Sequence, residues 1–196
     1  MKVACDLDGV VVDIMPQIKE VANQRGIQLE FKEYEPINVD KAVFHDIVHT
    51  VLAGKMNFIK PYPDAEIFLS LIFENIGPIT FVTARNEKYN NNTLDWIATH
   101  FSFPYKVVNQ HSSDKAEFIK SEGFDAFIED RLRTANHAAE LGINTYLLNR
   151  SWNIKRYTHE RVKRVDSIKL IYLDLLRMKN KKIEINSILN DFKYKD

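Results

Sequence analysis

The stretch VACDLDGVVVD (3–13) decides how this chain is read. It begins as a short apolar run without alternation, the pattern of a strand covered on both faces. The run stops on Asp6 and Asp8, one residue apart, with Gly9 after them. In an open parallel sheet, ligands sit beyond the carboxyl ends of the strands, so a buried strand ending on two acids aims them at a ligand.

Four further runs carry the same signature: ITFVT (79–83), YKVV (105–108), DAFIE (125–129) and NTYLL (144–148). Helical patterns with legible ends separate them. Asp64 is placed to cap a helix over 65–76, which Gly77 and Pro78 stop. Asn92 or Thr93 opens a second helix, with Leu94, Ile97 and Ala98 on one face. Asp114 and Glu117 form a capping-box-like pair for a third, ending at Gly123, and Arg131 to Leu141 forms a fourth, closed by Gly142. This alternation predicts an α/β fold, a doubly wound, Rossmann-like parallel sheet. Residues 16–59 break the rhythm with helical patterns and predict a small helical cap inserted after the first strand, leaving 1–15 and 60–196 as the core. The tail from about 157 predicts one helix, apolar at Ile168, Ile171, Leu173 and Leu176, with 177–196 loosely packed.

The 196 residues, 45% hydrophobic and 28% charged, suffice for one main domain. Lys+Arg and Asp+Glu both total 27, so the chain lacks the bulk basic field of non-specific nucleic-acid binding. The single cysteine, Cys5, forms no internal disulfide and reads as a small buried strand residue. No apolar run approaches the ~20 residues of a membrane span. A soluble cytoplasmic protein without a membrane partner is expected.

Read together, the strand ends gather chemistry on one rim. The first ends in Asp6 and Asp8, the second in Thr83-Ala84-Arg85, the fourth in Glu129-Asp130-Arg131, and Lys115 opens the helix before the fourth. Crowded carboxylates call for a cation, and hard oxygen donors favour Mg²⁺, which typically completes its shell with a substrate phosphate.

In that order, DLDGVVVD, TAR, a lysine and IEDR resemble the four motifs of the haloacid dehalogenase superfamily of phosphatases, over about residues 1–152. The resemblance implies strand order 5-4-1-2-3 and a helical cap after the first strand. It implies Asp6 as a nucleophile that forms an aspartyl phosphate, and Asp8 as general acid and then general base. It implies Mg²⁺ held by Asp6, the backbone carbonyl of Asp8 and an acid of the last motif. Glu129 and Asp130 could each claim the ion, and Asp130 is favoured, with Glu129 supporting from behind near Lys115. Thr83, the Ala84 amide and Lys115 would hold the phosphate. Arg85 and Arg131 either touch phosphate or seal the rim, and both readings stand at this point.

A narrower resemblance, to the type C 5′(3′)-deoxyribonucleotidases, rests on DLDGVVVDI, KPYPDAEIFL, TARN, IEDR and YLLNRSWN. Asp13 matches a recurrent acid of the first loop. Two positions depart from the pattern: Ser151 replaces the usual proline before Trp152, and Ile14 stands where an aromatic is common. Phe44, Met56 and Phe58 are candidates for an apolar pocket in the cap.

The expected activity is Mg²⁺-dependent hydrolysis of a small phosphorylated substrate, a nucleoside or deoxynucleoside 5′(3′)-monophosphate. The alternatives are another phosphate, on a sugar or a nucleic-acid 3′-end, and a non-catalytic phosphate binder, for which an acid at Asp8 has no use. His45 and His49, four apart on one helical face, resemble a zinc pair without a third ligand and read as surface or pocket-lining residues.

Overall fold

The computed structural model describes residues 1–32, 35–54, 56–154 and 156–193. In chain order they form β1 (Val3–Cys5), α1 (Met15–Gln24), β2 (Phe31–Lys32), β3 (Glu35–Pro36), α2 (Lys41–Gly54), α3 (Ala65–Asn75), β4 (Ile79–Thr83), α4 (Asn90–His100), β5 (Tyr105–Asn109), α5 (Lys115–Ser121), β6 (Ala126–Glu129), α6 (Leu132–Glu140), β7 (Asn144–Leu148), β8 (Val162–Val165) and α7 (Ile168–Lys193).

The main sheet runs β5-β4-β1-β6-β7-β8, with every neighbouring pair parallel. β1 lies between β4 and β6, and its three residues are wholly buried because both faces are covered. Val3 and Cys5 face one layer with Phe81, Ile128 and Tyr146, closed by apolar residues of α3, α4 and α7. Ala4, Val82 and Phe127 face the other, against Ala116 and Ile119 of α5 and Ala138 of α6. This is the expected doubly wound sheet, with the expected order of its first five strands. The order reverses at β1, so the ends of β1, β4 and β6 open on one crevice.

The sixth strand, β8, corrects the expectation of a helix throughout the tail. VKRV alternates in sequence, and only Val162 is buried while Lys163 is exposed. One buried side suffices at a sheet edge, where charged residues also discourage further pairing. From Ile168 the backbone is one helix to Lys193, packed on α3 through Ile168, Ile171 and Leu175, while Leu173 is exposed. Residues 194–196 lie outside the described residues.

Asp64 supplies a second correction. Its side chain makes no cap bond to its own helix and instead accepts a 2.7 Å hydrogen bond from Ile168 N, the first residue of α7. An orphan amide at a helix start takes whichever acceptor the fold brings to it. α4 begins at Asn90, ahead of the expected Asn92 or Thr93, and buries Thr93, Trp96 and Ile97 rather than Leu94. Asp114 makes no side-chain cap bond.

Between β1 and α3 the chain carries α1, the antiparallel β2–β3 pair and α2, with α1 packed on α2. This segment leaves and re-enters side by side: Val12 pairs antiparallel with Pro61, and Tyr62 N donates to Val11 O at 2.8 Å. No helix among the described residues is long and apolar enough to cross a membrane.

Candidate active site

Asp6 follows β1 directly and is held in register by its own amide, which donates to Ile128 O at 3.0 Å. Its carboxylate Oδ1 accepts from Leu7 N at 2.8 Å and lies 3.0 Å from Lys115 Nζ. Lys115 begins α5 one turn before Ile119, on the face that α5 turns to the sheet, which is why a lysine here is 1% exposed. The same ammonium sits 3.3 Å from Glu129 Oε2. The other Glu129 oxygen accepts the amides of Asp130 and Arg131, both at 3.0 Å, so both oxygens of this acid meet donors.

Asp130 differs. Its Oδ2 accepts the indole N–H of Trp152 at 2.8 Å, while its Oδ1 is buried without a hydrogen-bond partner. Oxygens of Asp6, Glu129 and Asp130 lie within 4.8 Å of one another, and among the described residues this is the one acidic or histidine-rich group close enough to share an ion. Three acids face one lysine, and burial works against ionisation of all three. Burial pushes Asp6 up to about 8, with Lys115 opposing and Glu129 and Asp8 reinforcing the rise. Burial also raises Asp130, assisted by the charges of Glu129 and Asp6. Glu129 stays below the ordinary carboxylate range because Lys115 and its backbone donors outweigh burial. Burial favours the neutral form of Lys115, but Asp6 and Glu129 outweigh it and hold the ammonium charged.

The turn Asp8-Gly9 is closed by Gly9 N donating to Val12 O at 2.8 Å. Gly9 has φ +81°, and a Cβ there would lie 2.2 Å from Asp130 Oδ2, so no other residue fits between the turn and that acid. Asp8 is gripped by Arg85 through both oxygens, Nε to Oδ2 at 2.9 Å and Nη2 to Oδ1 at 2.6 Å. Arg85 is buried, with Nη1 donating to Thr93 Oγ1 at 3.2 Å. A two-pronged bond of this kind fixes orientation as well as charge.

A cavity of about 440 Å³ opens above these groups. Asp6, Asp8, Ala84, Arg85, Lys115 and Arg131 line it from the sheet side. Ile14, Ile18, Phe44, Val48 and Leu52 line it from the inserted segment as a largely apolar wall. His45 also lines it, whereas His49 Nδ1 lies 2.8 Å from Tyr89 Oη, so the two histidines serve different neighbours.

Most of the residues singled out in the sequence thus converge. Thr83 is buried with its Oγ1 accepting from Arg85 N at 3.2 Å, and Ala84 rather than Thr83 lines the cavity. Asp13 stands apart, with Oδ1 accepting from Met15 N at 3.0 Å at the start of α1. Of the three residues considered for an apolar pocket, Phe44 lines the cavity, Met56 is buried in the core and Phe58 is 82% exposed. Sequence reasoning missed the roles of Arg150, Trp152 and Asn153. Arg150 Nε donates to Gly9 O at 2.6 Å, and Asn153 Nδ2 donates to Asp130 O at 2.7 Å. The rule that drew Asp6 and Asp130 applies equally to NRSWN, which follows the end of β7, and would have found them.

No family model matches the chain, and no curated relative matches it. Solved structures do. The chain is similar to CbbY from Rhodobacter sphaeroides in complex with phosphate, at 13% identity, TM-score 0.58, covering 88% of this chain and 98% of that one. A second structure of that protein, in complex with xylulose-1,5-bisphosphate, matches at 11% identity and TM-score 0.57, covering 85% and 94%. A phosphatase of the haloacid dehalogenase superfamily from Thermococcus onnurineus matches at 14%, TM-score 0.59, covering 89% and 98%. A "predicted phosphatase" from Clostridium acetobutylicum matches at 18%, TM-score 0.62, covering 90% and 98%. At these identities the likeness shows a fold shared with haloacid dehalogenase-type phosphatases.

Proposed function

We propose that the chain is a phosphomonoesterase of the haloacid dehalogenase type, with a nucleoside or deoxynucleoside monophosphate as its preferred substrate. One observation carries the reading: Asp6, Asp8 and Lys115 line one cavity, and Asp6 belongs to the oxygen-rich cluster with Glu129 and Asp130, in which Asp130 Oδ1 has no partner.

The cluster fits a hard divalent cation such as Mg²⁺. Its donors are all oxygens, three acids share one ammonium, and Asp130 Oδ1 is buried with no partner. Asp6, the Asp8 carbonyl and Asp130 would hold the ion, Glu129 being spent on Lys115 and two amides. When bound, it supplies the charge that offsets the meeting of carboxylate and phosphate anions.

The protein's own residues divide the chemistry. Lys115 orders Asp6 and presents its ammonium to the phosphoryl group. A carboxylate oxygen of Asp6 forms a bond to phosphorus as the bond from phosphorus to the leaving oxygen breaks, and Asp8 gives that oxygen its proton. Asp8, now a carboxylate, takes a proton from water as the water attacks phosphorus, releasing phosphate and restoring Asp6. Arg85 holds both oxygens of Asp8, so this grip must part before Asp8 reaches the leaving oxygen. The Ala84 amide and Thr83 are assigned to the phosphate oxygens, and Arg131 to the rim. Residues 16–59 act as the cap, and their apolar wall of Ile18, Phe44 and Val48, continued by Ile14 of the core, suits the flat face of a base better than a polyhydroxylated sugar. A sugar phosphate is the second reading, favoured by the bisphosphate complex of the Rhodobacter neighbour.

Phosphate release from deoxyribo- and ribonucleoside monophosphates and from sugar phosphates tests both. Asp6→Asn is expected to lower turnover by at least ~10⁴-fold with an unchanged circular dichroism spectrum. Hydrolysis retained in that variant removes the nucleophile, and a sugar phosphate turned over faster than every nucleotide removes the preferred substrate.

A further inference from the structure

We propose that the loop after β7, residues 149–153, is a clamp that sets the metal-facing direction of Asp130, with Trp152 as its positioning residue; this rests on the cation assignment above.

A carboxylate turns easily about its last bond, so a ligand acid needs something to stop it. Trp152 does so by donating its indole N–H to Oδ2 at 2.8 Å, which leaves Oδ1 as the oxygen without a partner. Gly9 leaves Oδ2 the room for this bond, since a Cβ there would lie 2.2 Å from it. The main chain of Asp130 is pinned as well: Asn153 Nδ2 donates to Asp130 O at 2.7 Å and to Leu148 O at 2.8 Å, joining the ends of β6 and β7. Asn153 is itself fixed, its Oδ1 accepting from Arg150 N and Arg164 Nη1, both at 3.2 Å. Arg150 then reaches the opposite side of the site, with Nε donating to Gly9 O at 2.6 Å. One short loop thus holds both the turn bearing Asp8 and the acid that faces it. The uneven treatment of the two oxygens argues for a ligand-directed role. An acid kept for stability alone would have both oxygens satisfied, as Glu129 has.

The test follows the two tryptophan indole N–H signals by NMR and measures Mn²⁺ affinity from the electron spin resonance of the free ion. On Mg²⁺ titration of the wild-type protein, the Trp152 signal is expected to shift saturably. The Trp96 signal, whose N–H donates to Ile59 O at 2.7 Å, is expected to stay. Trp152→Phe is expected to remove the moving signal and weaken Mn²⁺ binding by roughly 10- to 100-fold, the usual cost of losing a group that orients a metal ligand. Its melting temperature in chelator should remain within a few degrees of wild type. Equal Mn²⁺ affinity in the variant overturns the clamp and leaves the cation assignment standing. Wild-type protein that binds no Mn²⁺ overturns the cation assignment and the clamp with it. Should Trp152→Phe fail to fold, the wild-type titration still decides, because two unmoved indole signals at saturating Mg²⁺ also overturn the clamp.

Discussion

Two cations stand over two aspartates a single residue apart, and they hold them differently. Lys115 is a point charge shared between Asp6 and Glu129 at 3.0 and 3.3 Å; it holds Glu129 ionised but does not offset the burial that pushes Asp6 up to about 8. Arg85 spends both prongs of its guanidinium on Asp8 alone. The first arrangement is short of positive charge and takes more; the second is complete and must come apart before Asp8 acts. Lysine and arginine are not interchangeable here, because one distributes charge while the other fixes a plane.

The contrast can be broken in four ways. Lys115→Met leaves two buried carboxylates without their cation and is expected to cost about 3–5 kcal/mol. That is a fall in melting temperature of roughly 10 °C for a chain of this size, with most turnover lost. Thermal unfolding checks it, and a variant as stable as wild type would show that the ammonium is incidental. Arg85→Ala is expected to lower kcat by roughly 10²-fold with a smaller loss of stability, since Asp8 is partly exposed and can be solvated. A rate within threefold of wild type would make the fork a packing feature.

The third concerns protons. In the metal-free folded protein Asp6 keeps its proton up to about pH 8, whereas its ordinary value is 3.8. Between those values unfolding releases a proton, so stability falls as pH rises. A divalent cation displaces the same proton, so its affinity climbs with pH across this window. The melting-temperature gain from a fixed, subsaturating Mg²⁺ concentration is therefore expected to be several degrees larger at pH 8 than at pH 6. Equal gains would contradict the undercharged cluster. The smallest effect belongs to Asp64→Ala, which removes the cap of α7 and leaves both pairs their partners. About 1 kcal/mol, or roughly 2–4 °C, should be lost with kcat unchanged.

The sequence revealed the buried strands and the acids at their tips because both are local. An apolar run with no alternation is a covered strand, and an acid at its end has one place to go. DLDGV, TAR and IEDR could be joined without coordinates for that reason. What escaped depends on distant partners. Asp64 looks like a cap for the helix it precedes, yet the amide it meets belongs to Ile168. Phe58 and Phe44 are the same residue type in the same insertion, and only packing places one in solvent and the other on the cavity. VKRV is too short and too charged to declare itself as a strand until β7 offers it an edge. Trp152 resembles a core aromatic until its N–H is seen on Asp130.

The antiparallel stitch between Val12 and Pro61 has a mechanical consequence. It fixes the root of the insertion, where the chain leaves and rejoins the sheet beside the turn that carries Asp8. Ile14 adjoins that root, while Phe44 and Val48 line the cavity from α2, further along the chain. The α2 side is held by the bond from Asn92 Nδ2 to Ala53 O, by the meeting of His49 with Tyr89, and by Ile47, Val51 and Leu52 in the core. The acid-bearing turn is thus braced by main chain, whereas the cavity wall of α2 is held by side-chain bonds and apolar packing.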